Sequence, residues 1–245
     1  MKRILLLALP LAVVGCEDIH IGFNHGFGGP GTKGNGKPKE ESRTVGEYDR
    51  VIVGSAFRVE ATEGKLGPIA ISADSNLLPI IKTEVKNRTL RVWIEGSMSI
   101  SSPLKLTLST PTINGLEASG ATHVNLSLKS KHDLDLGASG SSEIKVTGEL
   151  INLTCDLSGS SKAALSSPSL GKLNTTLSGS SGLVYSGTVD SVEAQLSGAS
   201  SITGGMKGNT AKLRMSGASN GVFGKFAKVT KELTGASNAN FAGSE

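Results

Sequence analysis

The sequence predicts an all-β fold in which the chain coils into a parallel β-solenoid. Three observations predict it. Glycine supplies 32 of the 245 residues and aromatic residues only 4%, a composition that favours short strands and turns over a core of large side chains. A short motif recurs every 18 to 20 residues. Apolar and polar residues alternate on both sides of each copy, as they do in β-strands.

The recurring motif is Ser/Thr-Gly-Ala/Ser-Ser/Thr, and seven copies of it align on their glycine. A fixed period of about 19 residues is the signature of a repeat fold in which each coil stacks on the next. We predict that the glycine forms a tight corner, where it adopts a positive φ or allows adjacent coils to approach closely. The corner glycines are Gly120, Gly140, Gly159, Gly179, Gly198, Gly217 and Gly235.

Each copy of the motif joins two short strands. In the copy at Gly159, apolar residues stand two, four and six positions before the glycine, and polar residues stand between them. This alternation places Cys155 on the apolar face together with Ile151, Leu153 and Leu157. The sequence therefore predicts a buried core thiol.

Two columns of hydroxyl residues accompany the glycines. One precedes each glycine directly and the other follows it by two residues. We interpret them as side chains that satisfy backbone groups of the turns. The alternative is a ligand-binding hydroxyl array for a sugar or ice. The columns contain Ser119, Ser139, Ser158, Ser178, Ser197, Ser216 and Thr234 before the glycine, and Thr122, Ser142, Ser161, Ser181, Ser200, Ser219 and Ser237 after it.

Residues 1–15 are predicted to be a lipoprotein signal peptide. Lys2 and Arg3 precede an apolar stretch, residues 4–14, that is too short to span a bilayer. Val13-Val14-Gly15-Cys16 resembles the bacterial lipobox, which implies that Cys16 is lipidated and that the membrane is a partner. The alternative is an ordinary secretory signal with a chance cysteine.

The rest of the chain divides into three parts. Residues 16–43 contain the lipidated cysteine and a predicted flexible tether that is rich in glycine, proline and charge. Residues 44–115 are predicted to form N-terminal β-helix coils or a cap, and residues 116–245 the regular β-helix repeats. Glu17 stands where an aspartate would imply retention at the inner membrane, so the outer membrane is favoured. Which side of that membrane the protein faces stays open.

Beyond the repeats, the sequence resembles the bacterial auto-transporter adhesin, head GIN domain family. The likeness covers residues 43–241, and its most specific parts are Ala73-Asp74-Ser75-Asn76-Leu77-Leu78 and the serial repeats. The resemblance implies an exported or lipid-anchored protein with a single-stranded right-handed parallel β-helix. It carries over no catalytic residues. Asp74 and Asn76 fit a capped turn, with a binding site as the alternative.

The sequence predicts no cofactor, metal or catalytic site. Repeats of nearly constant length leave no loop insertions to build the walls of a cleft. Asp135 and Asp156, the carboxylates that a polysaccharide-active enzyme would need, fall in different outward columns. His123 and His132 stand alone in the sequence.

These observations predict a non-enzymatic cell-envelope lipoprotein that presents a β-helical rod for binding or adhesion. The ligand would be a protein, a matrix component or a glycan. The formal charge of +4 includes Lys2 and Arg3 of the signal peptide, so no nucleic-acid partner is predicted. The alternatives are a self-associating structural element of the envelope and, less favoured, a polysaccharide-active β-helix enzyme.

Overall fold

The structure, a computed structural model, describes residues 31–242. The predicted signal peptide at residues 1–15, Cys16 and the first part of the predicted tether lie outside the described residues, as do residues 243–245. The described part of the chain consists of short β-strands and one 3₁₀ helix.

The elements fall into an N-terminal group and a repeat group. The N-terminal group comprises β1 (Thr32–Lys33), β2 (Pro38–Arg43), β3 (Arg50–Val53), β4 (Arg58–Glu63), β5 (Ile69–Asp74), η1 (Leu78–Ile80), β6 (Ile81–Lys86), β7 (Thr89–Ile94), β8 (Met98–Ser99) and β9 (Lys105–Thr110). The repeat group comprises β10 (Gly115–Ala118), β11 (His123–Ser127), β12 (His132–Ala138), β13 (Glu143–Thr147), β14 (Leu150–Leu157), β15 (Lys162–Ser166), β16 (Ser169–Leu177), β17 (Gly182–Tyr185), β18 (Thr188–Leu196), β19 (Ser201–Thr203), β20 (Lys207–Met215), β21 (Asn220–Phe223), β22 (Phe226–Leu233) and β23 (Asn238–Phe241).

Two long sheets enclose one apolar core. A ten-stranded sheet has the order β22-β20-β18-β16-β14-β12-β10-β3-β7-β6, and an eleven-stranded sheet has the order β2-β5-β9-β4-β11-β13-β15-β17-β19-β21-β23. In the repeats, each strand pairs in parallel with its counterpart one coil away, so that Leu136 aligns with Leu116 and with Cys155. The buried side chains of the two sheets form a single cluster. The predicted parallel β-solenoid is confirmed.

One side chain in the repeats lies on the other face from the one predicted. Cys155, Leu153 and Leu157 are buried, but Ile151 is 45% exposed and its neighbour Leu150 is buried instead. The pairing of β12 with β14 shifts in register just before Leu153. Because side chains alternate with a period of two, an irregularity in the strand reverses the face of the residues before it.

The coil that stacks on the first copy of the motif does not carry the motif itself. β3 and β4 pair in parallel with β10 and β11, so that Val53 aligns with Ala118. Ser55 occupies the corner with a φ of +79°, and its carbonyl accepts the N–H of Ala121. This coil escapes the motif because Gly54-Ser55-Ala56 reverses the order of serine and glycine.

Between β4 and β10 the chain builds the N-terminal end of the stack. β7 and β9 pair in parallel with β3 and β4 and form a further coil. β6, β5 and β2 then pair antiparallel to their neighbours and complete the end. The coil of β3 and β4 therefore lies between two others. The coil of β7 and β9 stacks on one side of it, and the coil of β10 and β11 stacks on the other.

The predicted flexible tether is wrong for its last residues. β1 pairs with β8, and β2 pairs antiparallel with β5 from Pro38 opposite Asp74 to Arg43 opposite Ile69. The guanidinium of Arg43 also donates to the carbonyl oxygen of Ile81 at 2.7 Å. The composition of this segment is that of a linker, but the backbone hydrogen bonds of an open sheet edge order it without requiring apolar side chains.

Three aromatic side chains pack together in the last described coils. The rings of Phe223 and Phe241 stack with centroids 4.8 Å apart, and Phe226 meets both edge-on. In the last coil, Lys231 takes the column that Leu213 occupies one coil below. A charge at an inward position of an edge strand opposes the addition of further strands.

Candidate functional site

The seven motif glycines form the corner between the two sheets. All seven have a φ between +69° and +76°, the left-handed region that disfavours other residues. A Cβ at Gly179 would also lie 2.6 Å from the carbonyl oxygen of Gly159 in the coil below. The corner thus requires glycine both for its backbone conformation and for the close approach of adjacent coils.

The hydroxyl column that follows the glycines points into the corner. Ser161 Oγ donates to the carbonyl oxygen of Ser158 at 2.8 Å and to that of Ala138, one coil below, at 3.1 Å. Because these hydroxyls are buried and donate to backbone carbonyls, this column cannot bind a ligand. Its buried members are Thr122, Ser142, Ser161, Ser181, Ser200 and Ser219.

The hydroxyl column that precedes the glycines is half-buried to exposed and makes longer bonds. Ser197 and Ser216 donate to carbonyl oxygens of the coil below at 3.5 Å, and Thr234 does so at 3.4 Å. The column that follows the glycines therefore supports the turn-satisfying interpretation, and the column that precedes them supports it only through these three longer bonds.

A buried carboxylate at the end of β4 contacts two turns, the one before β10 and the one between β11 and β12. Glu63, the last residue of β4, is only 2% exposed. Its Oε2 accepts the N–H of Lys129 at 2.7 Å, and the N–H and hydroxyl of Ser130 at 2.8 Å. Its Oε1 accepts the N–H of Ile113 at 3.3 Å and contacts Nε2 of His132.

These contacts determine the protonation of Glu63. Burial by itself would raise its pKa, but the N–H groups of Ser130 and Lys129, with the side chains of His132 and Ser130, outweigh burial and lower the pKa to about 2. Glu63 is therefore ionised at neutral pH and has a structural role. His132, which stands alone in the sequence, has a carboxylate partner in the fold.

A second buried carboxylate fastens the N-terminal segment. Asp74 accepts the N–H of Ser101 at 2.8 Å and the hydroxyl of Ser102 at 2.7 Å. Burial would raise its pKa, but these hydrogen bonds outweigh burial and lower it. Asn76 donates to the carbonyl oxygen of Lys33 at 2.7 Å and accepts the N–H of Asn35 at 3.0 Å. The N–H of Gly36 also donates to Asp74, so Asp74 and Asn76 together hold residues 33–36 against the stack.

Sequence reasoning missed Glu63, although a signal for it exists. In Arg58–Glu63 the buried residues are Val59, Ala61 and Glu63, so the alternation alone places a carboxylate in the core. Its partners in the 111–115 and 128–132 turns are more than 45 residues away in sequence. No local pattern identifies such distant turn residues.

The outer face of the ten-stranded sheet separates its charges along the stack. We call Glu117, Asp133, Asp135 and Asp156, on β10, β12 and β14, the acidic block, and these three strands contain no Lys or Arg. We call Lys207, Lys212, Arg214, Lys225 and Lys228, on or directly beside β20 and β22, the basic block, although β22 also carries one acidic residue, Glu232. Strands β16 and β18 lie between the two blocks.

Asp135 and Asp156 do not form a catalytic pair. Asp135 makes an ion pair with Arg50 at 3.1 Å, and Asp156 aligns with Gly137 of the neighbouring strand rather than with Asp135. Both side chains are exposed on the open outer face of the sheet, where nothing encloses a substrate.

The remaining thiol is also structural. Cys155 is fully buried in the core, and burial, with a smaller contribution from the charge of Asp156, raises its pKa to about 12. Within residues 31–242, no three His, Cys, Asp or Glu side chains are grouped so as to hold a metal ion. No helix in the same residues is long and apolar enough to cross a membrane.

Comparison with known proteins supports the β-solenoid fold and identifies the family of this chain. The solenoid resembles crystal structures of a putative adhesin from Bacteroides fragilis (TM-score 0.75, 18% identity) and one from Parabacteroides merdae (TM-score 0.74, 17% identity). Each match covers 86% of this chain, and 99% and 98% of the respective neighbours. A neighbour from Parabacteroides distasonis, described as a putative lipid binding protein, matches with a TM-score of 0.74 and 17% identity over 86% of this chain and 99% of its own.

The family follows from the sequence itself. The model of the family described as "Putative auto-transporter adhesin, head GIN domain" matches residues 47–244. The chain belongs to this family, as its resemblance predicts. The family and the neighbours from Bacteroides fragilis and Parabacteroides merdae are described as putative adhesins, and the family assignment indicates an extracellular or envelope protein. No match is found among curated proteins.

Proposed function

We propose that this protein is a non-enzymatic lipoprotein of the cell envelope, attached through Cys16, that presents its solenoid as a rod for binding or adhesion. The observation that carries the proposal is that the glycines and buried hydroxyls of the repeats contact the adjacent coil. The flat outer faces of the sheets are therefore the surfaces available to a partner. Such faces suit a broad macromolecular contact better than the enclosure of a small substrate.

The position of the N-terminal segment supports an anchor at one end of the rod. β2 is the end strand of the eleven-stranded sheet, whereas β23 lies at the opposite end of that sheet and β22 at the end of the ten-stranded sheet away from β6. A lipid on Cys16 would therefore hold the rod by its N-terminal end and leave the regular coils free. Glu17 supports the outer membrane as the location. The adhesin names within the family support a protein, matrix or glycan ligand.

Two measurements on cells test the proposal. Mass spectrometry of the mature N-terminus should find an acylated Cys16, and Cys16→Ser should release the protein from membranes. Protease added to intact cells should digest the rod if it faces outward, and protection until lysis would confine it to the periplasm and end the adhesion proposal. An unmodified Cys16 with the signal sequence retained would contradict the anchor.

The enzyme alternative has its own test. Turnover of a polysaccharide by the purified protein, lost in Asp135→Asn or Asp156→Asn, would contradict the non-enzymatic proposal. We expect no turnover, because Asp135 is paired with Arg50 and neither carboxylate lies in a cleft.

A further inference from the structure

We propose that the outer face of the ten-stranded sheet pairs with the same face of a second copy of this chain, with the two rods antiparallel. The inference deepens the proposed function by naming a partner, and it rests on that function only for its consequence on cells. The acidic block and the basic block lie on the same face of the ten-stranded sheet, on strands at different positions along the stack.

Three charges in each block are free to make new pairs. Within their blocks, Asp135 is paired with Arg50 at 3.1 Å, Lys212 with Glu193 at 2.9 Å and Arg214 with Glu232 at 3.1 Å. The other block members make no ion pair within the described part of the chain. They are Glu117, Asp133 and Asp156 in the acidic block, and Lys207, Lys225 and Lys228 in the basic block.

The strand order makes the face complementary to itself. A two-fold axis parallel to the strands, placed between β16 and β18, brings β14 opposite β20 and β12 opposite β22 of the second copy. Because this axis runs along the strands, each outward column of one copy faces the equivalent column of the other copy, with the order of the strands reversed. The column of Asp156 runs through Thr176 and Gln195 to Arg214. Asp156 of one rod would then face Arg214 of the other, whose guanidinium also pairs with Glu232 of its own rod at 3.1 Å. Each contact occurs twice.

The neighbouring column adds a second complementary contact. Asn152, Lys172, Ser191, Thr210 and Lys228 align along it. Asp133 reaches this column on β12, where its carboxylate accepts the side-chain N–H of Asn152 at 2.9 Å. The same axis therefore places Asp133 opposite Lys228. A rod in the parallel orientation would instead set each block against its like.

The outer face of the ten-stranded sheet is large enough for a protein interface, and its polar side chains predict a weak association. Nine-residue strands such as β16 extend about 30 Å, and the six strands β12 to β22 that overlap, spaced 4.8 Å apart, cover about the same distance, so the face offers roughly 900 Å². A standard interface buries about 800 Å² on each partner. The face is polar apart from side chains such as Ile151, so we expect an association that depends on charge and weakens with salt.

A second copy fits this face better than an anionic polymer does. A polyanion would be attracted by the basic block but repelled by the acidic block on the same face, whereas a second copy satisfies both. Antiparallel rods carry their N-terminal ends at opposite ends of the pair. Copies anchored on two different surfaces would therefore be bridged by this contact.

Sedimentation velocity of the purified full chain carrying Cys16→Ser tests the pairing. At about 50 mM salt, the sedimentation coefficient should rise with protein concentration towards that of a dimer, and at about 500 mM salt the dimer should dissociate. Lys228→Glu should weaken the association about tenfold, because each substitution acts at two symmetric contacts. Asp133→Lys should do the same, and the double variant should restore association.

Lys162→Glu is the matched control, since it makes the same charge change on β15 of the eleven-stranded sheet. It should leave the association unchanged. A monomer at every concentration in low salt would overturn the pairing, as would equal weakening by Lys162→Glu or a double variant no better than either single one. Heparin binding by a strictly monomeric protein would assign the basic block to a polyanion instead.

Failure of the pairing and failure of the proposed function are distinguishable. A monomeric protein that is lipidated at Cys16 and binds a matrix or glycan keeps the proposed function and ends the pairing. A protein that dimerises as described but is not exported keeps the pairing and ends the proposed function.

Discussion

The regular repeats and the N-terminal end share one coil geometry but hold it by different means. From β10 to β21, each coil uses the same glycine corner, the same buried hydroxyl and mostly apolar inward columns. The last described coil keeps the glycine, but Ser237 is only half-buried and Lys231 stands in an inward column. In the N-terminal end, residues that occur once do the equivalent work, among them Glu63, Asp74 and Arg43. Ser55 stands at a corner that glycine fills elsewhere.

This difference determines how stability is distributed. In a solenoid each coil contacts only its neighbours, so stability is close to a sum of local contributions. The repeats have many small and equal contributions that do not titrate. The N-terminal end depends on two buried carboxylates whose pKa values are lowered by their hydrogen bonds. We therefore expect the two regions to respond differently to mutation and to acid.

The largest expected effect is at a corner glycine. Gly179→Ala should lower the free energy of unfolding by about 3 kcal/mol, because the new Cβ combines a left-handed φ of +69° with a contact 2.6 Å from the oxygen of Gly159. Gly205→Ala is the control, since Gly205 has a φ of +71° but no atom within 4 Å of its Cβ position. It should cost only about 1 kcal/mol. Equal losses in chemical denaturation would show that coil contact adds nothing to the requirement for glycine.

The next effect is at the buried carboxylate. Glu63→Gln should destabilise the protein by about 2 kcal/mol at neutral pH, because an amide replaces an ionised acceptor of several hydrogen bonds. Glu60→Gln, on the exposed face of the same strand, should cost less than about 0.5 kcal/mol. If the two variants unfold at the same denaturant concentration, Glu63 does not fasten the N-terminal end.

The same residue predicts a pH dependence with a definite sign. The pKa of Glu63 is lowered from 4.5 to about 2 in the folded protein, so folding favours the charged form. Its contribution is complete above pH 4.5 and is lost as the pH falls towards about 2. The difference in stability between wild type and Glu63→Gln should therefore shrink over that range, as measured by denaturant unfolding at each pH. A constant difference would contradict the lowered pKa.

The smallest effect is at a corner hydroxyl. Ser161→Ala removes a buried donor to the carbonyl oxygens of Ser158 and Ala138 and should cost about 1 kcal/mol. Ser160→Ala changes the exposed neighbour and should be nearly neutral. Thermal unfolding of the pair measures the difference. A loss for Ser160→Ala as large as that for Ser161→Ala would indicate that the exposed side of the corner also contributes to stability.

The same contrast explains how much of the fold is readable in the sequence. The repeats could be predicted because one local solution recurs seven times, so the columns of Gly179 and Ser161 stand out on alignment. For residues 44–115 the sequence predicts coils or a cap but not which strands form them, because Ser55 replaces the corner glycine and the first copy of the motif lies some 60 residues later. Ordering of residues 31–43 depends on a sheet edge that no local pattern reveals.

The candidate surface was only partly predictable for a related reason. The alternation places Asp135 and Asp156 outward, as the structure does. The separation of charge along the face emerges only when strands 40 or more residues apart in sequence, such as β12 and β20, are set in one sheet. The reversed face of Ile151 depends on a register shift that leaves no mark in the sequence.

Hydrogen exchange along the chain, followed by mass spectrometry as the pH is lowered, tests most directly whether the two regions are held by different means. Because Glu63 and Asp74 lose their charge in acid, the backbone amides of residues 31–114 should lose protection between pH 4.5 and about 2 while those of β14 to β20 keep it. Loss of protection in both regions at the same pH, or in the repeats first, would contradict the account.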